Sequence, residues 1–144
     1  MSNITEIKYK YCRITLEQFA ILDDSESVEL NDTDLQTSVQ FSFDREQHMV
    51  CCSLSISLSK DSKVLLKSQL NSYFDIDSES IDNVICQNNA YVFDIPLLIQ
   101  FASLCYGSMR GVIFTKTMNT PYNIFILPPV YFSAMINKPF VVEI

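Results

Sequence analysis

The sequence predicts an α+β domain in which a four-stranded antiparallel sheet is followed by a long helix and a short second helix packed on one face. Polar and apolar residues alternate in three consecutive stretches between residues 35 and 77, which is the period of half-buried strands. One long apolar segment, residues 95–116, then has the length and the first-turn residues of a helix. The 144 residues match the usual size of one compact unit, so a single domain spanning 1–144 is expected.

Four stretches of the chain are strand-like. Residues 4–20 form the first, and the phase of their apolar positions changes near residues 12–13, which indicates a bulge or a bend. An acidic crossing loop follows, and three further stretches, 35–44, 50–59 and 64–77, are joined by short polar turns. Consecutive strands with such connections are expected to form an antiparallel meander, with one apolar face and one serine-rich face. The apolar face needs a cover.

The long helix is the expected cover of the sheet. Asp94 is suited to the N-cap, and Pro96 lies in the first turn, where a missing N–H is tolerated. Apolar residues occupy nearly all sides of the segment, so one side is expected to pack on the chain's own sheet and the other on a second subunit. A short second helix is predicted at 130–137, and the tail KPFVVEI is β-like.

Gly107 and Gly111 are the only glycines of the chain, and both lie inside the predicted helix. Each destabilises a helix interior by about 1 kcal/mol relative to alanine, so close approach of another backbone is expected. That backbone belongs either to a second subunit or to the chain's own sheet, unless Gly111 marks a kink. Arg110 either pairs with an acidic group on the sheet or on a second subunit, or extends its charged head to solvent.

The charge balance excludes two classes of partner. Ten basic and 17 acidic residues give a net charge of −7, and no cluster of Lys and Arg is present. Nucleic acids and anionic membrane surfaces are therefore not expected as partners. The N-terminal stretch has no apolar core of a signal peptide, so we expect a cytoplasmic protein without membrane insertion, whose five cysteines remain thiols.

Nothing in the sequence points to catalysis. His48 is the only histidine and is expected in a solvated turn, so a serine or cysteine nucleophile would lack another histidine as its base. No glycine-rich phosphate loop, C-x-x-C pair or calcium loop is present. The sequence therefore predicts a protein that is not an enzyme and that uses no metal and no cofactor.

Large apolar side chains surround the prolines after the helix: Tyr122, Ile124, Phe125, Ile126, Tyr131 and Phe132. Two interpretations stay open, because these side chains either pack on the sheet or line a groove for apolar segments of a client protein. Each large side chain that a client buried there would gain about 1.5–3 kcal/mol, much of it offset by the ordering of a flexible client. Several such sites, repeated over an oligomer, would be needed to hold an unfolded chain.

Residues 90–135 resemble the C-terminal half of the SecB-type protein-export chaperones. The shared features are a long helix ending in Arg110-Gly111, a connecting loop, and a run of residues that opens the second helix. In that run Leu127, Pro129, Val130 and Phe132 fall where the family has Leu-x-Pro-Val-x-Phe. The match covers roughly the last third of the chain, and the rest agrees with the family only in its pattern of strands.

The resemblance implies a SecB-like fold, with the first strand beside the fourth, and a homotetramer built as a dimer of dimers. A homodimer is the alternative oligomer. It implies an ATP-independent holdase that binds non-native polypeptides in grooves lined by the second strand, the crossing loop, the connecting loop and the second helix. In this chain those elements contain the candidate peptide-binding residues Leu30, Val39, Phe41, Phe43, Tyr122, Ile124, Phe125, Ile126, Tyr131 and Phe132. The candidate oligomer interface consists of Gly107, Arg110 and Gly111.

The partners that follow are unfolded clients of protein export and, as a further partner, the SecA translocation motor. One dedicated client, such as the antitoxin of a toxin–antitoxin pair, is an alternative, as are a small apolar ligand and a single folded partner. The exposed sheet face is mostly serine and the tail is short and apolar, unlike the acidic face and polar tail that contact the motor in the family. Motor contacts are therefore not assigned to named residues.

Overall fold

The computed structural model describes residues 7–23, 32–124 and 127–144. Its main sheet consists of four antiparallel strands, β1 (Tyr9–Ile21), β2 (Asp34–Asp44), β3 (Met49–Lys60) and β4 (Lys63–Ile76). Their order in the sheet is β1-β4-β3-β2. The predicted meander of β2, β3 and β4 is confirmed, and β1 lies beside β4 as the resemblance implies.

Strand β1 is irregular at two points. Its register against β4 shifts between Tyr11 and Arg13, which confirms the predicted bulge. It shifts again between Leu16 and Gln18, a point that the alternation of the sequence does not indicate. Extra residues at a bulge increase the local twist and bend of a strand. This long edge strand therefore follows the sheet only by breaking its regular pairing twice.

The core lies on one face of the main sheet. Buried apolar side chains alternate along its two central strands: Val50, Cys52, Leu54, Ile56 and Leu58 on β3, and Leu66, Leu70, Phe74 and Ile76 on β4. Ser68 and Ser72 share this face and are also buried. Ser68 donates a hydrogen bond to the Gln18 carbonyl at 3.0 Å, and the Ser72 hydroxyl lies 2.6 Å from the Tyr11 hydroxyl. Both buried hydroxyls therefore have partners, as buried polar groups require.

Helix α2 (Ile95–Lys116) covers this face and has the bounds that the sequence predicts. Between β4 and α2 the chain forms helix α1 (Ser78–Ser80), one π-helical turn (Ile81–Ile85) and a short hairpin of two strands, Cys86–Gln87 and Ala90–Phe93. Phe101 of α2 stacks on Phe74 of β4, with ring centroids 4.1 Å apart. The helix is long and apolar enough to cross a membrane by length and composition, with a mean hydropathy of 1.4, but core helices share these properties. Here its buried face packs on the sheet.

A second, smaller sheet is formed by β5 (Cys86–Gln87), β6 (Ala90–Phe93) and β7 (Phe140–Glu143), in the order β5-β6-β7. Strand β7 is the β-like tail, which pairs antiparallel with β6. The segment predicted as a short second helix, 130–137, forms only one 3-10 turn at Phe132–Ala134. Pro139 disfavours a helical conformation of the residue before it, so the chain extends after this turn and reaches β6.

Candidate functional site

A cleft of about 240 Å³ opens between the edge strand β2 and the C-terminal segment. It is lined by Val39, Gln40 and Phe41 of β2, by Leu98 of α2, and by Met135, Ile136, Asn137, Lys138, Pro139 and Phe140. Most of these side chains are apolar, and Lys138 is the one charged member. A concave apolar surface with a few polar groups is the usual form of a binding site. We refer to it below as the β2 cleft.

Strand β2 lines the cleft because its apolar face is only partly covered. Val39, Phe41 and Phe43 are half-buried, whereas the corresponding side chains of β3 are fully buried. Helix α2 packs mainly on β3 and β4 and reaches the cleft beside β2 through Leu98, so much of the apolar face of this edge strand is left uncovered by the helix. Phe43 is covered instead by the second sheet, with its ring 5.0 Å from Tyr91 and 4.9 Å from Phe93. Val39 and Phe41 remain to form one wall of the cleft.

The opposite wall of the cleft is the C-terminal segment, which is held in place by buried residues that precede it in the chain. Phe132 packs edge-on against Tyr106 of α2, with ring centroids 5.8 Å apart. The Ile136 N–H donates to the Phe132 carbonyl at 2.8 Å, and the Tyr106 hydroxyl donates to the Pro128 carbonyl at 2.5 Å. Burial raises the pKa of Tyr106, an effect that the nearby Arg110 partly offsets, so the phenol is a protonated donor at neutral pH. These contacts fix where the C-terminal segment leaves the core.

The other predicted peptide-binding residues after the helix lie in different environments. Tyr122 and Phe132 belong to the core, with exposed fractions of 1% and 2%, and the Tyr122 hydroxyl donates to the Asp23 carbonyl at 2.6 Å. Tyr131, in contrast, is 78% exposed. A client would reach Tyr122 or Phe132 only if this segment opened, so their role in peptide binding stays a prediction.

Four further candidates cannot be placed by their side chains. Leu30, Phe125 and Ile126 lie outside the described residues, and Ile124 is described only by its backbone, as the last residue of the 3-10 turn Pro121–Ile124. Their assignment to peptide binding stays a prediction.

The residues predicted to form the subunit contact lie on the outward side of α2. Gly107, Arg110 and Gly111 are exposed, and a Cβ atom added at either glycine would meet none of the residues described by the structure within 4 Å. Packing on the chain's own sheet therefore does not account for the two glycines. Arg110 forms no salt bridge within the described part of the chain, where it is exposed as a snorkelling side chain would be. Its pairing with a second subunit stays a prediction.

Exposed apolar side chains extend this surface from α2 onto β1. Leu104 and Phe114 of the helix are 39% and 59% exposed, and Ile14 and Leu16 of β1 are 48% and 37% exposed. The residues that pair with Ile14 and Leu16 on β4 are buried, so these two side chains lie on the sheet face that α2 covers. Several large apolar side chains exposed on one side of a molecule are typical of protein–protein contacts.

The sequence does not reveal the C-terminal side of the β2 cleft. Met135, Ile136, Pro139 and Phe140 line the cleft, and so does Leu98, which the sequence predicts only as a helix residue. The available signal is the group of β-branched residues after Pro139, which favours a strand. So short a strand gives no indication of its pairing partner, and therefore none of the surface that it covers.

Other parts of the molecule offer little chemistry. Within the ranges that the structure describes, no group of three or more His, Cys, Asp or Glu side chains could hold a metal ion. The hydrogen bond with Cys105, together with burial, raises the pKa of Cys52 far above its usual range, so this thiol is not a nucleophile. A larger cleft of about 500 Å³ on the serine-rich face is lined mainly by hydroxyl and amide groups, with Lys67 as the charged residue.

No protein-family model matches the sequence, and a comparison with curated proteins finds no match. Solved structures do show similarity. The SecB-like chaperone Rv1957 of Mycobacterium tuberculosis, solved in complex with a ChAD peptide from the Rv1956 HigA1 antitoxin, matches with a TM-score of 0.57 and 12% identity. The match covers 85% of this chain and 90% of that chain. At this identity the similarity concerns the fold, and it shows that the chain has a SecB-like α+β fold.

Proposed function

We propose that this protein is an ATP-independent molecular chaperone, a holdase that binds non-native polypeptide segments. The observation that carries the proposal is the β2 cleft, which is apolar, open and set along an edge strand. Among the residues that the structure describes, no strand pairs with the outer edge of β2. An extended client would therefore find both an apolar surface and a row of backbone N–H and C=O groups.

The size of the cleft sets how strongly one site can bind. The half-buried side chains of Val39 and Phe41 offer contact to one or two client side chains, and each client side chain that becomes fully buried gains about 1.5–3 kcal/mol. The ordering of a flexible client offsets part of this gain. One cleft is therefore a weak site, and an oligomer that presents several clefts to one unfolded chain reaches useful affinity.

A homotetramer, arranged as a dimer of dimers, is the proposed form. It is supported by the exposed apolar surface of α2 and β1, which includes Ile14, Leu104 and Phe114. It is also supported by Gly107 and Gly111, which contact no other part of the fold through their Cα side among the residues that the structure describes. Small residues on a helix let another backbone approach closely, and the apolar side chains around them would be buried by the contact.

The client range is either general protein export, with the SecA motor as partner, or one dedicated polypeptide. The structural neighbour was solved with an antitoxin peptide, which favours testing a dedicated antitoxin client as the second candidate. We propose that either activity takes place in the cytoplasm and requires neither catalysis nor a cofactor. Binding assays with several unrelated unfolded chains separate the two, because a dedicated chaperone binds one of them far more tightly than the rest.

A matched pair of methionine variants tests the cleft. Met135 lines the cleft and is 39% exposed, while Met118 lies just after α2 and is 54% exposed. Met135→Gln removes apolar contact with a client and has little effect on the core. It is therefore expected to weaken client binding by about fivefold, on the order of 1 kcal/mol. Met118→Gln is expected to change nothing.

The readout is the concentration of chaperone that halves light scattering by an aggregating, thermally unfolding client. Equal loss in both variants would remove the cleft as the site. A wild-type protein that never delays aggregation would contradict the holdase itself. A lipid-like molecule that co-purifies and is seen by native mass spectrometry would favour a small-ligand module instead.

A further inference from the structure

Strand β7 occupies apolar surface beside the β2 cleft. Its Phe140 stacks on Phe93 with ring centroids 5.6 Å apart and lies 6.3 Å from the ring of Phe41. Phe140 and Phe41 both line the cleft. The last strand of the chain therefore covers part of the surface that a client would use, and it does so with an aromatic side chain.

Few contacts hold β7 in place. It pairs with β6 alone, through the register Phe93 with Phe140 to Ala90 with Glu143. At its end the Arg45 guanidinium donates to the Glu143 carbonyl at 2.9 Å. The strand has four residues, and its outer edge has no partner strand in the described parts of the chain. Short edge strands with a single partner strand open easily.

Exposure shows which side of β7 faces the cleft. Phe140 and Val142 are half-buried, whereas Val141, which lies on the opposite face of the strand, is 50% exposed. An extended segment with an apolar residue at every second position therefore matches this place. Its backbone would make the bonds that β6 now makes with β7, and its side chains would take the two half-buried positions.

We infer that β7 is an autoinhibitory strand, which occupies the client site in the free protein and is replaced on β6 by an extended client segment. The inference rests on the proposed holdase function and adds the kind of client: a strand-forming segment with an aromatic residue followed, two positions later, by a branched aliphatic one. The measured client affinity is then the intrinsic affinity reduced by the fraction of molecules in which β7 is released.

A disulfide between β6 and β7 tests the release step. The Ile144 N–H donates to the Asn89 carbonyl at 3.2 Å, which makes the adjacent pair, Ala90 and Glu143, a non-hydrogen-bonded pair. The Cα atoms of such pairs are about 4.5 Å apart, within the span of a disulfide. Ala90→Cys with Glu143→Cys therefore locks the strand without disturbing the Phe140 side of the sheet. The single variant Ala90→Cys is the control.

The probe is reduced, carboxymethylated α-lactalbumin, which stays unfolded in solution, with binding measured by fluorescence anisotropy. Oxidation of the double variant is expected to lower its affinity at least tenfold, and dithiothreitol is expected to restore it. Deletion of residues 140–144 is expected to raise affinity by about tenfold if β7 is released in about a tenth of molecules. Phe140→Ser should act in the same direction, and Val141→Ser, on the exposed side, should have no effect.

Two outcomes separate this inference from the function on which it rests. If the oxidised and reduced double variants bind the probe equally while the wild type binds it well, the autoinhibitory strand is refuted and the holdase stands. If no form binds the probe, including the deletion variant, the holdase is refuted and the inference with it. Should the deletion variant not fold, the locked and reduced double variants alone decide the question, since both keep the complete chain.

Discussion

The hydroxyl of Tyr106 on α2 donates a 2.5 Å hydrogen bond to the carbonyl of Pro128. This bond joins the helix that covers the sheet to the segment that leads to the β2 cleft. The same ring packs on Phe132, so one residue positions both the prolines and the 3-10 turn after them. The scaffold and the proposed binding surface therefore depend on each other at this point.

Tyr106→Phe keeps the ring and removes only the hydroxyl. We expect the free energy of unfolding to fall by about 1 kcal/mol, because the Pro128 carbonyl loses its donor in a hydrogen bond that is partly shielded from water. Urea denaturation monitored by circular dichroism measures this change. Tyr131→Phe is the control, since Tyr131 is 78% exposed and should give no measurable loss. Equal stability of the two variants would mean that the bond contributes nothing.

Stability should also fall at alkaline pH. Burial raises the pKa of Tyr9 and of Tyr106 above the value of 10.0 for a free tyrosine. The folded protein then holds these protons more tightly than the unfolded chain, so the stabilisation is present below pH 10 and decreases as the pH rises further. Urea midpoints between pH 8 and pH 11 measure the effect. Tyr106→Phe should show a shallower decline than the wild type, and an identical decline would exclude Tyr106 as a cause.

Much of this fold follows from local patterns in the sequence. The alternation on β2, β3 and β4 fixes which side chains are buried, and the helix bounds at Ile95 and Lys116 follow from a proline in the first turn and a polar stretch at the end. The phase change near Cys12 gives the first bulge of β1. These features depend on neighbours within a few residues, so the sequence can report them.

The second sheet and the cleft depend on contacts between distant parts of the chain. Phe140 lies 6.3 Å from Phe41, although nearly a hundred residues separate them, and no local pattern encodes that approach. The local sequence also does not show that Tyr122 and Phe132 are buried, because large apolar residues near prolines occur both in cores and in binding grooves. The sequence therefore indicates the kind of surface but not which of its side chains are exposed.

Two adjacent cysteines should differ strongly in reactivity. Cys51 is half-buried, and Cys52, on the opposite face of β3, is fully buried. Burial raises the pKa of Cys51, and the hydrogen bond with Cys105 and burial raise that of Cys52 much further. We expect iodoacetamide at pH 8 to modify Cys51 first and Cys52 only as fast as the protein unfolds.

The protein is digested with a protease that cleaves on both sides of this strand. Fragmentation of the resulting peptide in the mass spectrometer then shows which of the two cysteines carries the label. Labelling in urea is the control and should make the two thiols equivalent. Rapid modification of Cys52 in the folded protein would mean that β3 and α2 separate far more often than this core allows.

Replacing the two helix glycines tests the proposed subunit contact directly. An added Cβ at Gly107 or Gly111 meets no atom within 4 Å in the described ranges of the chain, so alanine should fit in a single protomer. Helix propensity then predicts that each change stabilises the isolated protomer by about 0.5–1 kcal/mol.

If the helices of two subunits meet at these glycines, the double variant Gly107→Ala with Gly111→Ala should instead dissociate at higher protein concentration than the wild type. Sedimentation velocity over a range of concentrations measures that shift, and urea unfolding at low concentration measures the gain in the protomer. Thr115→Ala, also exposed on α2, is the control for a general effect of alanine. Unchanged association together with higher stability would place the subunit contact elsewhere, because the methyl groups would then face only water.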